Sequence, residues 1–509
     1  MAESFQQDAA GAVIEPLGSF DRHQDLLCEE KMSSLIIVLR KICEMVKQCE
    51  VIRKNLPAST LRTMCSIIQG CVTPFDADED APLLSNPSVL EACSWCLRCL
   101  RNACVQSPPN QQTVWDAGAV DSLKQLIQII SSAPSPKQEE ELVVCLRCAV
   151  QLLGNLISGQ EELQGLAWQA VFPQTLLSVF QCADPKASLY LCMVVNMCVQ
   201  GSSPRGYAQQ LWTSDDGYRL VEAAVALCET ESEQDFSLQL LQSLIVIPEF
   251  IPAVFNRLTP PSKIILLDIL AAYLSHGSDD SASLPVEAED EASGRKESFP
   301  CLPAVEFLAQ VFEEEAGSVF GLVSEEQWGN IEKDKKPLFV MRLLNTLCEA
   351  TAHPEARKIL QQRMSLLECS LGLLDRANSA GKKSGNHFTS TQTLEGASAQ
   401  ANPFFGFKRD LVRLIGNMCH SHTANQDKVR ELHGIPVILE QCNIDDSNPF
   451  ISQWAIFAIR NLCDGNLQNQ AVIAEMSNQG VVNNDQLEQY GFQAECREGK
   501  MYYRPSRKK

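Results

Sequence analysis

Leu414–Pro436 reads LIGNMCHSHTANQDKVRELHGIP, Leu100–Val120 reads LRNACVQSPPNQQTVWDAGAV, and Ile459–Gly480 reads IRNLCDGNLQNQAVIAEMSNQG. In each, an Asn closes an apolar run and an Asn-Gln pair follows at one fixed distance. Asn102 to Asn110, Asn417 to Asn425 and Asn461 to Asn469 are all eight residues apart. A Gly then stands at Gly118, Gly434 and Gly480, where it is expected to end a short helix. Three copies of so spaced a pattern identify an internal repeat.

Weaker copies lie between them. QLLGNLISGQ places Asn155, LCMVVNMC places Asn196 and VMRLLNTLC places Asn345. The steps Asn102 to Asn155, Asn155 to Asn196 and Asn417 to Asn461 are 53, 41 and 44 residues. An armadillo or HEAT unit has roughly 40–47. The step from Asn345 to Asn417 is 72. A polar insertion accounts for the excess, since removing roughly 25–30 residues restores the period.

Within a unit the apolar residues have helical spacing. Ile451, Ala455, Ala458, Ile459 and Leu462 fall on one face. One unit cannot cover that face alone, and stacking identical units does so. The expected fold is therefore all-α, an armadillo/HEAT-like α-solenoid of stacked helical repeats.

Composition agrees. Apolar residues are 45% and aromatic residues 6% of 509 residues, a mix of Leu, Val, Ile, Ala and Cys that suits close-packed helices. The formal net charge of −21 repels phosphate backbones and anionic lipid, so nucleic acid is not an expected partner and proteins are. The first twenty residues lack a basic start and an apolar stretch, and the longest apolar runs, such as Leu35–Leu39, are too short for membrane insertion. The 22 cysteines fall in apolar helical patterns, where a free thiol acts as a small hydrophobe, so a reducing, cytoplasmic setting is expected.

Composition shifts divide the chain. Residues 1–20 are expected to be disordered, 21–275 to form an N-terminal array, and 276–300 an acidic linker or loop. Ser278–Pro300 holds seven acids against two bases. Residues 301–490 are expected to form a C-terminal array with an insertion loop at 376–404, and 491–509 a basic tail. Thr73–Pro87 reads as a further acidic, Pro-bearing loop.

The stretch GFKRDLVRLIGNMCHSHTANQDKVRELHGIPVILEQCNIDDSNPFISQWAIFAIRNLC, from Gly406 to Cys463, resembles the C-terminal domain of the ataxin-10 family, about 405–490 here. CLRCLRNACVQSPPNQ and VCLRCAVQLLGNLIS are similar to its N-terminal signature. His433 departs from the Asp that the resemblance leads one to expect. The resemblance implies a non-catalytic protein-binding scaffold with roles in neurite outgrowth (neuron projection development), neuronal survival and cytokinesis. It implies the G-protein β subunit, O-GlcNAc transferase and mitotic kinases as partners, and self-association into a homo-oligomer. It further implies a cytoplasmic and perinuclear location, at midbody and centrosome or basal body. The competing reading is a regulator of an enzyme such as a glycosyltransferase or kinase, or an enzyme with an unrecognised site.

The candidate partner-binding residues are the Asn ladder, Asn102, Asn155, Asn196, Asn345, Asn417 and Asn461, with Trp95 and Trp454. A side-chain amide can pair with the N–H and C=O of an extended peptide, or it can bond a neighbouring helix end. Nuclear import receptors, similar in architecture, place Trp four residues before such an Asn. The positions here are Arg98, Gln151, Cys192, Met341, Arg413 and Phe457, so nuclear localisation signals are not an expected cargo. Trp95 and Trp454 stand seven before Asn102 and Asn461, as interface anchors or as core. Cys96/Cys99 and Cys145/Cys148 form CxxC pairs, but 46 residues separate the two pairs, so neither metal nor cofactor is expected. Cys419, His420 and His422 read as a helix end and loop. No Gly-rich phosphate loop or catalytic signature is present.

Overall fold

The computed structural model describes residues 17, 26, 28–73, 84, 86–133, 140–200, 204–229, 236–276, 301–322, 336–382, 388, 404–443, 445–476, 492–497 and 500–505. It is an α-solenoid, and its contacts divide it into Met1–Phe307 and Leu308–Lys509.

The first unit opens with α1 (Glu29–Gln48), α2 (Glu50–Lys54) and α3 (Ala58–Val72). Triplets then follow, each closed by a long third helix. α4 is Pro87–Ala103, followed by α5 (Pro108–Asp116) and α6 (Ala119–Ser132). α7 is Glu140–Ile157, followed by α8 (Glu161–Val171) and α9 (Gln174–Gln181). α10 is Pro185–Gln200, followed by α11 (Pro204–Thr213) and α12 (Asp215–Leu227). α13 (Phe236–Ile245), α14 (Phe250–Val254) and α15 (Pro260–His276) complete the series.

The packing follows the repeat. α1, α4, α7, α10 and α13 stack side by side in one row, and α3, α6, α9, α12 and α15 form a second row behind it. Leu39, Leu97, Leu100, Leu146 and Leu153 are buried between them. Each such side chain contributes roughly 1.5–3 kcal/mol on leaving water. Thiols serve as small spacers where third helices cross: the Cys99 Sγ–H points to Leu39 O at 3.2 Å and the Cys145 Sγ–H to Leu90 O at 3.6 Å. Local chemistry sets the helix starts. Asn86 accepts from the N–H of Ser88 with Pro87 in the first turn, and Ser214 accepts from the N–H of Gly217.

α16 (Leu302–Glu315) crosses the division between the units. In the second unit, α17 (Lys336–Ala350), α18 (Pro354–Gln362) and α19 (Met364–Gly381) precede α20 (Phe407–Met418), α21 (Thr423–Glu431) and α22 (Gly434–Leu439). α23 (Ile451–Cys463) and α24 (Leu467–Glu475) follow. α17, α20 and α23 stack as third helices. α20 and α23 approach closely because Gly416 has no side chain, and a Cβ there would lie 2.9 Å from Ala458 Cβ. Ile451, Ala455, Ala458 and Leu462 are buried as their spacing predicts, whereas Ile459 is only half-buried.

The structure adjusts several expectations. Gly118 is left-handed at φ 76°, as a helix-ending Gly should be, but at the next copy His433 takes that role at φ 55° and Gly434 begins α22. Gly434 serves close packing there, since a Cβ would lie 2.6 Å from Leu371 Cδ2. Gly480 lies outside the described residues, as do residues 277–300. α19 runs to Gly381, inside the stretch assigned to the insertion. The stretch read as a basic tail holds a hairpin: β1 (Phe492–Arg497) pairs antiparallel with β2 (Lys500–Pro505), Phe492 opposite Pro505. Among the described residues no single helix is long and apolar enough to cross a membrane.

Candidate protein-binding groove

The Asn ladder reaches backward along the stack. Asn155 Nδ2 on α7 donates to Arg101 O on α4 at 2.9 Å, and Asn461 Nδ2 on α23 donates to Gly416 O on α20 at 2.9 Å. Asn102 Nδ2 donates to Cys43 Sγ at 3.4 Å, and Asn417 Nδ2 to Thr351 Oγ1 at 2.6 Å. Asn196 keeps a buried Oδ1 without a partner. Asn345 is half-buried on α17.

The asparagines of the Asn-Gln pairs, quoted above only as markers of the repeat, are more deeply buried than the ladder, as are Gln111 and Gln426, whereas Gln470 is exposed. Asn110 Nδ2 donates to Ala103 O at 2.9 Å and to Arg53 O at 2.8 Å. Asn425 makes the same two bonds, to Met418 O at 2.9 Å and Gln361 O at 3.0 Å. Asn469 repeats them with Leu462 O at 2.7 Å and Gln426 O at 3.2 Å. Each Asn thus closes its own third helix and ties it to the triplet before. The Gln ties forward: Gln111 Nε2 reaches Asn155 O at 2.7 Å, and Gln426 Nε2 reaches Asn461 O at 2.8 Å. A spacing of eight places the amide seven residues beyond the carbonyl it closes, which is why the spacing recurs.

The open surface lies along the third helices of the first unit. A hollow of about 400 Å³ is lined by residues of α1, α4, α7 and α10, including Lys47, Arg98, Arg101, Asn102, Gln151 and Lys186. Trp95 is half-buried in its wall, donating Nε1–H to Glu91 Oε1 at 3.3 Å, with Arg98 over its ring at 4.8 Å. Arg101 donates to the neutral side-chain oxygens of Gln151 and Asn102. Arg147 alone among the lining cations is neutralised by a fork, to Asp184 at 2.9 and 2.6 Å. Burial pushes the Asp184 carboxyl up, but Arg147 and the Ala187 N–H outweigh it and leave it below its ordinary value. A second hollow adjoins, sharing Trp95, Arg98 and Val144 with the first and lined further by Glu91, Glu140, Glu141 and Leu90. One end of the groove is basic and the other acidic.

The structure brings Trp95, Asn102 and Gln151 together and leaves Asn155 and Asn196 outside the lining. Trp454 is half-buried on α23, edge-on to Phe457 at 6.0 Å. The cations Lys47, Arg101 and Lys186 escape a sequence reading because four separate helices supply the lining. The CxxC thiols are buried on α4 and α7, and burial raises Cys96 and Cys148. Cys43 moves the other way, to about 7, through its hydrogen bond with Cys99 against burial, with Arg101 adding to the shift. His422 accepts from the Asn425 N–H at 3.2 Å and so caps α21. Among the described residues no group of three or more His, Cys, Asp and Glu is placed to hold a metal ion.

Known proteins match both units. The family model described as "Spinocerebellar ataxia type 10 protein domain" matches residues 407–504, from α20 through the hairpin. Ataxin-10 of Xenopus tropicalis is 34% identical over 416 residues, covering 81% of this chain and 80% of that protein. Ataxin-10 of Homo sapiens is 33% identical over 421 residues, covering 82% and 83%. The ataxin-10 homolog of Dictyostelium discoideum is 47% identical over 88 residues, 17% of this chain and 14% of that protein. With identity above 30% over four-fifths of each vertebrate relative, and the same domain model lying on α20–α24, this chain belongs to the ataxin-10 family.

Proposed function

We propose that this chain is a non-catalytic adaptor that holds a protein partner along the third-helix groove of its first unit. The observation that carries the reading is the groove itself, where Trp95, Asn102, Gln151 and Val144 line open space while the Asn-Gln pairs hold the backbone beneath them rigid. Rigid helices that present pre-placed polar groups lose little entropy on binding. The G-protein β subunit, O-GlcNAc transferase and mitotic kinases enter as candidate cargo on the strength of the family resemblance, and roles in neurite outgrowth and cytokinesis would follow from them.

A photo-crosslinking residue at Gln151, on the groove, is compared with one at Gln125, exposed on α6. Each purified candidate is offered to both proteins. Adducts at 151 without adducts at 125 support the groove; adducts confined to 125 refute it.

A second reading concerns the last triplet. Ile456, Phe457 and Leu467 are exposed, Leu467 at 78%, whereas Leu97 and Val412, which hold the place of Ile456 in earlier repeats, are buried. An apolar end face of this kind suits a second copy of the chain. Light scattering of Ile456→Glu with Leu467→Glu tests it, with loss of the larger species expected.

A further inference from the structure

We propose that the basic end of this groove takes an extended, carboxylate-rich peptide, read by Lys47, Arg98, Arg101 and Lys186. The inference rests on the groove reading above and adds the chemistry of the occupant.

Charge is the first argument. The chain as a whole carries −21, yet the hollow is lined by Lys47, Arg98, Arg101, Arg147 and Lys186 against Glu44 alone. Asp184 neutralises Arg147, but among the described residues Lys47 and Lys186 form no ion pair, Arg98 rests on Trp95, and Arg101 bonds only neutral amides. Four cations held together with only Glu44 among them in an acidic protein repel one another. An anionic occupant removes that repulsion.

Spacing is the second. Lys47 stands on α1, Arg98 and Arg101 on α4, and Lys186 on α10, with α7 between. Packed helices lie roughly 8–10 Å apart, so the row spans on the order of 25 Å, or about eight residues of extended chain. Charges so spread match several single carboxylates along a strand better than one dianionic phosphate. Asn102 and Gln151 on the same floor offer amide groups for the peptide backbone.

Direction is the third. Glu91, Glu140 and Glu141 line the adjoining hollow beyond Trp95 and Val144. An acidic run is repelled there, so the peptide enters with its acids over Lys47 and Lys186 and an apolar residue against Trp95.

Fluorescence anisotropy with the full-length protein tests this. The probes are a ten-residue peptide with one Leu followed by alternating Glu and Ser, its Lys-for-Glu counterpart, a version with one phosphoserine replacing the Glu run, and a ten-nucleotide single-stranded RNA. The Glu peptide is expected to bind most tightly and to weaken as salt rises. Lys47→Glu with Lys186→Glu, both exposed and unpaired, is expected to weaken it about tenfold or more, while Lys358→Glu in the second unit leaves it unchanged. Equal binding of the Glu and Lys peptides, preference for the phosphoserine peptide or RNA, or indifference to the double reversal overturns the proposal. So does a marked tightening when Asp76, Asp78, Glu79 and Asp80 are neutralised, which would assign the hollow to the chain's own acidic stretch. If Gln151 crosslinks still form with a protein partner, the chemistry fails and the groove stands; if they too are lost, both fail.

Discussion

The guanidinium of Arg413 lies over Trp454, 5.2 Å from the ring centroid, reaching from α20 onto α23. Arg40 on α1 does the same to Trp95 on α4 at 5.4 Å. The two arginines hold equivalent places, each three residues before the group that the next ladder Asn contacts, Gly416 for Arg413 and Cys43 for Arg40. The Trp seven residues before the Asn is therefore a joint between successive triplets in both units. In the first unit Trp95 also faces the groove.

A double-mutant cycle isolates this joint. Trp454→Leu and Arg413→Gln are combined in a Glu349→Gln background, because Arg413 also holds Glu349 at 2.7 and 3.2 Å. The coupling expected for a cation over an aromatic face is about 0.5–2 kcal/mol. It is read from hydrogen exchange of α23 amides, since a chain of two units does not unfold in a single step. A coupling near zero would make Trp454 ordinary packing.

The buried amides give a sharper contrast. Asn425→Ala removes both donors that satisfy Met418 O and Gln361 O, in a residue with no exposed surface. Two buried carbonyls lose their partners, at a cost of about 2–4 kcal/mol. Asn417→Ala removes one bond, to the Thr351 hydroxyl, and is expected to cost about 1 kcal/mol or less. Melting temperatures of the two variants should rank in that order, and a reversed order would contradict the staple role of Asn425.

That contrast shows what the sequence carries. The eight-residue spacing marked the repeat correctly, because it is a consequence of closing a helix seven residues back. It could not say which Asn is buried, since both kinds sit on helices of the same period. Gln164 was invisible for a related reason: its Nε2 reaches Ile157 O at 3.2 Å across the same seven residues, but it is not an Asn and its neighbours do not match. The hairpin at Phe492–Pro505 was hidden by its Arg and Lys content, as strand preference depends on context more than on composition. The groove cations were unreadable because Lys47 and Lys186 lie 139 residues apart and meet only through stacking.

The signature run CNIDDSNPF builds a cap for α20. Lys408 Nζ meets Asp445 Oδ2 at 2.6 Å with the side chains 5% and 4% exposed, and Asn448 Oδ1 accepts the N–H groups of Lys408 and Arg409 at 2.9 and 3.2 Å. Asp445→Asn leaves an ammonium buried without its counter-charge, and a loss of about 3–5 kcal/mol is expected. Lys408→Met with Asp445→Leu removes both charges and should recover much of it. Thermal unfolding of the three variants decides. Equal loss in the single and double variants would show that the capping bonds, not the ion pair, carry the stability.

Cys43 supplies a pH signature. Its thiol is held at about 7, below the ordinary 9.0, first by its hydrogen bond with Cys99, against burial, and then by Arg101. A depressed acid stabilises the folded state at high pH, so this group's contribution is complete above about 9 and fades as pH falls through 7. Cys99 shifts upward through the same bond and burial, and its contribution opposes that of Cys43 at high pH. Reactivity separates the pair more cleanly than stability. Iodoacetamide labelling read by mass spectrometry should modify Cys43 with a midpoint near pH 7 and leave Cys96 and Cys99 intact. Cys99→Ala should raise that midpoint more than Arg101→Gln does, and a peptide seated over Lys47 and Arg101 should slow the labelling. A midpoint unmoved by Cys99→Ala would remove the hydrogen bond as the cause.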